Sequence, residues 1–191
     1  MRRLIVIGVG ALGSHTVMLL RNLGAELVVI DFDRVEQKNV LSQFHAKPSV
    51  GKPKVMGLSQ TMKFLFGTKL EAIPHKLTRD NASELLAGAD VVIDCLDNAE
   101  ARCIVQATVR ALRVPCLHGA LAADGSFGRI VWDEEFVIDA ESDVGAATCE
   151  DGNHLPFIVI TAAYLARAVQ AFLENDHKIG FHVHPGGANR I

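Results

Sequence analysis

Three glycines, one aspartate and the apolar runs around them are the first residues in this chain whose types and spacing can do chemistry. Gly8-Val9-Gly10-Ala11-Leu12-Gly13 follows the run Leu4-Ile5-Val6-Ile7, and Asp31 closes the next run, Leu27-Val28-Val29-Ile30. In a turn of this form Gly8 permits the tight reversal and Gly10 lets the backbone approach a phosphate. Gly13 lets the following helix pack closely on the strand. The first amides of that helix have no partner within it and face an anion favourably. Asp31 stands where a carboxylate can accept two ribose hydroxyls, a stronger reading than a turn cap. A lone glycine turn is weak evidence. Flanked by strand and helix, with an acid at the end of the second strand, it points to an adenine nucleotide or dinucleotide without saying which.

Other reactive side chains carry less. Cys149 is a nucleophile in an acidic stretch, where Glu150 and Asp151 would raise its pKa, so an acyl or persulfide acceptor and an incidental thiol weigh equally. Cys95 and Cys116 fall in apolar runs and are expected in the core. His182 and His184 alternate as in a strand and share a face, but two ligands make a poor metal site, so a solvated edge strand is the expectation. His118 reads as a satisfied structural histidine rather than a nucleotide contact. Gly186-Gly187, with a few residues beyond, reads as a flexible end.

The elements that must position these groups follow from periodicity. A helix is predicted from Ala11 to Leu23 and another from Lys52 to Phe66, the latter with Val55, Leu58, Met62 and Leu65 at helical spacing. Between them, Phe32 to Gly51 reads as an ordered loop with a short helical turn. A strand at Leu70–Ile73, a helix at Asn81–Ala87, a strand at Asp90–Asp94, a helix at Asn98–Leu112 and a strand at Val114–Leu121 continue the alternation. This is the pattern of a Rossmann-like, doubly wound α/β fold with a mostly parallel sheet. Gly125 and Gly128 around Phe127 turn the chain into Arg129–Trp132, a hairpin extension at the C-terminal side of the sheet. Asp133 to His154 is acidic and aperiodic, expected as a mobile loop over the site. Leu155 to Ala166 is apolar but shorter than the roughly 20 residues that span a bilayer, and reads as a buried helix.

With 191 residues and 49% hydrophobic content, the expectation is one domain around one core, residues 1–191. A net charge of −3 gives no general attraction to nucleic acid or anionic membrane. The four cysteines form no C-x-x-C pair, which argues against a disulfide framework or a thiolate zinc site. The short apolar run after Met1-Arg2-Arg3 lacks the length of a signal sequence, so a cytoplasmic location is expected.

Several patterns follow the glycine turn in a definite order: Asp31-Phe32-Asp33, Asn39-Val40-Leu41-Ser42-Gln43, Gly51-Lys52-Pro53-Lys54, and Asp94-Cys95-Leu96-Asp97-Asn98 with Arg102. Together with Cys149, Gly152, Leu155 and Pro156 this order resembles the ThiF/MoeB/ubiquitin-activating superfamily over most of the chain. The resemblance implies an adenylyltransferase that uses Mg-ATP to activate the C-terminal carboxylate of a ubiquitin-like or sulfur-carrier protein or peptide, as a homodimer without zinc. It implies that Asp31, with Asp33 beside it, holds the ribose, and that the amides after Gly8 face the phosphates. Lys54 would neutralise charge as pyrophosphate departs, Asp97 would hold Mg²⁺ with Asn98 beside it, and Asn39 and Gln43 would line the phosphate region. Taken alone, Lys54 is an ordinary surface lysine, with Lys52 as its control, and Asp97 or Asn98 a helix cap.

The chain departs from the family pattern at Ser42, where Asn-x-x-Arg-Gln has an arginine, and a hydroxyl carries neither the permanent charge nor the guanidinium fork. Only Arg2 and Arg3 stand where many relatives have an N-terminal extension that brings an arginine across the dimer. Two rivals remain open: an NAD-dependent oxidoreductase, which suits the glycine turn and Asp31 equally, and a catalytically degenerate nucleotide-binding regulatory subunit.

Overall fold

The computed structural model describes residues 1–138 and 152–191. Its apolar runs are strands buried on both faces. β1 (Arg3–Ile7), β2 (Glu26–Ile30), β3 (Leu70–Ile73), β4 (Val91–Asp94) and β5 (Cys116–Leu121) are parallel in the order β3-β2-β1-β4-β5. Helices cover both sides of such a sheet, which is why Leu4, Ile5, Val6 and Ile7 are all apolar and all inaccessible. Leu4 and Val6 pack towards α1 (Ala11–Leu20), α2 (Lys54–Phe66) and α5 (Leu155–Asn175). Ile5 and Ile7 pack towards α3 (Ala82–Leu85) and α4 (Ala99–Leu112). The fold is the doubly wound α/β architecture expected.

The hairpin extension is present and goes further than Trp132. β6 (Gly128–Trp132), β7 (Phe181–His184) and β8 (Gly187–Arg190) continue the sheet antiparallel from β5. This corrects two expectations. Gly186-Gly187 is not a flexible end, because the chain turns there and residues 188–190 pair through their backbones with β7. His182 and His184 therefore lie on an internal strand between β6 and β8, not on an edge.

Other details differ: α1 ends at Leu20 rather than Leu23, and α2 begins at Lys54 rather than Lys52. Asp133–Glu135 forms a 3-10 turn and Phe136 is buried, so the beginning of the expected mobile loop is ordered. Residues 139–151 of that expected loop, Cys149 among them, lie outside the described residues. Helix α5 runs on to Asn175, since Arg167, Gln170 and Glu174 face outward and interrupt the apolar run without ending the helix. At 21 residues, with an 18-residue stretch of mean hydropathy 1.6, it is long and apolar enough to cross a membrane by length and composition. Here Phe157, Ile158, Leu165 and Val169 bury one face of it in the core. In α2, Leu65 is exposed rather than buried, while Val55, Leu58 and Met62 form the inward face.

Strand register decides what meets at the C-terminal edge of the sheet. Ile7 is paired with Ile30 on one side and Asp94 on the other. Gly8, Asp31 and Cys95 therefore leave the sheet side by side, at the point between β1 and β4 where the winding direction reverses. Open α/β sheets bind ligands in that crevice.

Candidate functional site

A cavity of about 420 Å³ opens at this crevice, with Gly8, Gly10, Asp31, Asp33, Lys54, Asp97 and Asn98 in its wall. The glycine turn is built as its sequence requires. Gly8 has φ +80°, and its Cβ would meet the Cys95 carbonyl oxygen at 3.0 Å. A Cβ on Gly13 would lie 1.9 Å from the Gly8 carbonyl oxygen, so the first turn of α1 seats on the strand end only without a side chain there. A Cβ on Gly10 would meet nothing within 4 Å, which leaves room for a ligand against the backbone.

Asp31 is half-buried and already engaged. Its Oδ2 accepts from the Val9 amide at 2.8 Å and its Oδ1 from the Asp33 amide at 2.8 Å. Each carboxylate oxygen retains a second acceptor direction for a hydroxyl. Burial pushes the Asp31 carboxyl above its usual value, opposed by the charge of Lys54 and by the two amides.

Lys54 arrives by backbone pairing. Arg34 and Pro53 form an antiparallel bridge, the Val35 amide donates to the Lys52 carbonyl at 2.9 Å, and the Lys54 amide donates to the Asp33 carbonyl at 2.8 Å. The Lys54 side chain is thereby buried at the first turn of α2, with Nζ 2.8 Å from Asp33 Oδ2. Lys52, the control, is exposed and donates to Gln60 on the outer surface. The pattern Gly51-Lys52-Pro53-Lys54 thus puts one lysine in the cavity and one outside it.

Asp97 and Asn98 are exposed on the opposite wall, at the start of α4. Asn98 caps that helix, accepting from the Ala101 amide at 2.8 Å. The Asp97 carboxylate is a hard oxygen donor facing open space. That suits Mg²⁺, which is commonly held by one or two carboxylates together with substrate phosphates and water. Among the described residues there is no cluster of three or more potential metal-ligating side chains, so His182 and His184 remain a pair.

Asn39, Ser42 and Gln43 are buried but are not part of the cavity wall. Asn39 Oδ1 accepts from the Glu36 amide and caps a 3-10 turn, Gln37–Leu41. The Ser42 carbonyl is 3.0 Å from His15 Nε2. Gln43 Oε1 is buried without a hydrogen-bond partner among the described residues. His45, close by, holds the Val9 carbonyl through Nε2 at 2.9 Å, and burial lowers its pKa to about 4. Arg2 and Arg3 lie at the other end of β1, paired with Asp90 and with Glu26 and Glu71.

The sequence reading missed part of the wall. His75, Lys76, Leu77, Thr78 and Arg79, after β3, and Glu100, Ala101 and Ile104, on α4, complete it. Phe32 lies beneath Lys76, whose Nζ is 5.6 Å from the ring centre. Only the strand order could have found the segment after β3, because it brings that segment beside Asp31. Cys95, just past the end of β4, packs against the core, as expected, and also lines the cavity. Burial pushes its thiol pKa strongly upward and makes it a poor nucleophile. Cys116 and His118 are buried, as expected.

A second concavity, about 640 Å³, lies between α5 and the β7–β8 turn, but its wall is mostly apolar, with Arg167 as its charged member.

The model of the ThiF family matches residues 1–171. The chain is 34% identical to the SAMP-activating enzyme E1 of Haloferax volcanii over 122 residues, 62% of this chain and 45% of that protein. It is 31% identical to the molybdopterin-synthase adenylyltransferase of Salmonella typhimurium over 121 residues, 62% of this chain and 49% of that one. The match thus spans less than half of the length of these curated relatives. In structure it resembles E. coli MccB crystallised with AMPCPP and MccA, with a TM-score of 0.77 at 14% identity, covering 100% of this chain and 62% of that one.

Proposed function

The chain belongs to the ThiF family, and on that premise we propose that it binds Mg-ATP and adenylates the C-terminal carboxylate of a ubiquitin-like or sulfur-carrier protein, or of a peptide. The observation that carries the reading is the meeting of Asp31, Lys54 and Asp97, from three separate segments, in one cavity at the switch point of the sheet. Relatives named as adenylyltransferases for sulfur carriers and molybdopterin synthase support it.

The chemistry fits these side chains. A carboxylate oxygen forms a bond to the α-phosphorus, the bond from that phosphorus to the bridging oxygen breaks, and pyrophosphate leaves with the electron pair. Nucleophile and leaving group are both anionic, so the protein's work is alignment and neutralisation, with no general base. Asp31 orients the ribose, the amides at the start of α1 face the phosphates, and Lys54 offsets the charge on the departing group. Asp97 holds Mg²⁺, which supplies further charge neutralisation when bound. Asn98, Asn39 and Gln43 support the phosphate region, the last two from behind the wall.

Exchange of pyrophosphate into ATP that depends on a small protein or peptide with a free C-terminus is the test. No exchange with the cognate carrier sinks the catalytic reading. Ser42 favours a second one, nucleotide binding without turnover, because no arginine stands at that position. Binding of NAD in place of ATP would favour an oxidoreductase, which leaves Lys54 and Asp97 without a role. A homodimer and a cytoplasmic location are part of the same proposal; sedimentation and cell fractionation test them.

A further inference from the structure

Behind the cavity wall lies a set of buried charges that the adenylation chemistry does not use. Asp94, at the end of β4, is fully buried. Its Oδ1 accepts from the Leu96 amide at 2.9 Å, and its Oδ2 faces Arg102 Nη1 at 3.3 Å and His118 Nδ1 at 2.7 Å. Arg102 Nη2 donates to the carbonyls of Leu96 and, at 2.7 Å, of Gly119. The Leu96 peptide is therefore held at both ends, its N–H by Asp94 and its C=O by Arg102. Asp97 and Asn98 follow directly.

His118 closes this assembly. Its Nε2 is 3.2 Å from Asp133 Oδ1, and its ring stacks on Phe136 with centres 4.0 Å apart. Asp133 also accepts from Gln106 Nε2 at 3.0 Å and from Arg110 Nε at 2.6 Å, while Arg102 lies over the Phe136 ring. The imidazole thus joins Asp94, which fixes the turn after β4, to Asp133, which is anchored on α4 and begins the 3-10 turn after β6. A buried polar network whose members are all satisfied fixes one geometry, and removing one member leaves the others to relax.

We infer that His118 is a positioning residue. Through Asp94 it holds the β4–α4 turn in the conformation that presents Asp97 and Asn98 to the nucleotide. The inference rests on the nucleotide reading of the cavity, but the clamp itself is observable without nucleotide. The contacts that carry it are the Nδ1 pairing to Asp94 and the Asp94 pairing to the Leu96 amide.

The experiment compares His118→Phe, His118→Asn and His118→Gln with the native chain. The phenylalanine keeps the stack on Phe136 and loses both polar contacts. Asparagine replaces the Nδ1 contact to Asp94, and glutamine replaces the Nε2 contact to Asp133. Amide hydrogen exchange of the nucleotide-free protein is read at Leu96 and, as a monitor of global stability, at Val6 and Ile93. His118→Phe and His118→Gln are expected to lose at least about tenfold more protection at Leu96 than at the monitors, with His118→Asn staying within about threefold of native. Calorimetric Mg-ATP affinity should follow the same order, weaker by about tenfold for the first two and restored by asparagine. Equal losses at Leu96 and at the monitors in all variants, with unchanged affinity, would reduce His118 to a structural role and overturn the inference. If His118→Phe does not fold, His118→Gln decides. A native chain that binds no Mg-ATP would overturn the nucleotide reading instead, while the exchange at Leu96 still settles whether His118 holds the turn.

Discussion

Lys54 Nζ and Asp33 Oδ2 are 2.8 Å apart at the mouth of the cavity, a mostly buried lysine paired with a carboxylate that is about half exposed. The pair keeps a buried ammonium satisfied before a ligand arrives, which limits the cost of holding a charge out of water. A phosphate entering the cavity then competes with Asp33 for the same three donors. Asp33 can swing towards solvent, whereas Lys54 is fixed by the backbone pairing that builds the start of α2.

Lys54→Ala is expected to weaken Mg-ATP binding by about tenfold to a hundredfold, the range for a charge-assisted contact of roughly 1.5–3 kcal/mol. Lys52→Ala should leave it unchanged, because Lys52 points to Gln60. Calorimetric titration of both variants checks this; equal effects would mean that neither lysine meets the phosphates.

Nucleotide affinity should fall on acidification with an inflection above 3.8, the usual aspartate value, because burial raises the Asp31 carboxyl and only the carboxylate accepts two hydroxyls. For stability the sign is opposite. A raised acid pKa means the folded state takes up the proton more readily, so this contribution is complete below 3.8 and is lost as pH rises through the raised value. Asp31→Asn should bind more weakly and lose that inflection in a pH series of binding isotherms.

His45 gives a second pH dependence of the reverse kind. Burial lowers its pKa from 6.5 to about 4, so the unfolded chain takes up the proton first as pH falls. The stability it contributes is present above pH 6.5 and is lost progressively towards pH 4. Between pH 7 and pH 5 this amounts to about 2 kcal/mol, and His15, lowered for the same reason, acts in the same direction. Urea unfolding at the two pH values should show the loss, and His45→Gln should flatten it.

Gly10 and Gly13 separate what the turn needs for folding from what it needs for binding. Gly13→Ala places a methyl 1.9 Å from the Gly8 carbonyl oxygen, a backbone atom that cannot move aside, and should cost at least about 3 kcal/mol or prevent folding. Gly10→Ala meets open space and should change stability by no more than about 1 kcal/mol while weakening nucleotide binding. Thermal melts beside binding isotherms separate the two.

Much of this site is legible in the sequence because it lies at strand ends. Parallel strands covered on both faces read as unbroken apolar runs, so Ile7, Ile30 and Asp94 could be placed before their register was known. The glycine turn and Asp31 follow from that placement. The Asp94–His118–Asp133 chain is different: its members are far apart in sequence and share no period, so only the fold brings them together. The wall from His75 to Arg79 depends likewise on strand order. The four residues of β8, Gly187-Ala188-Asn189-Arg190, carry no apolar alternation because their pairing is through backbone groups, and α5 outruns its apolar stretch because its outward face is polar.

Asp97 offers the most direct separation of metal from nucleotide. It contributes one exposed carboxylate to the wall, and Mg²⁺ needs few protein ligands when phosphates and water complete its shell. Asp97→Asn keeps the shape of the turn but loses the charge that attracts a hard cation. With Mg²⁺ present, ATP binding to the variant should be weaker by about tenfold. In EDTA, native protein and variant should bind ATP within about twofold of each other, the variant being favoured because one repelling carboxylate is gone. Loss of affinity under both conditions would show instead that Asp97 acts on the nucleotide or on the fold of the turn. Isothermal titrations with and without EDTA, on the same preparations, separate the two.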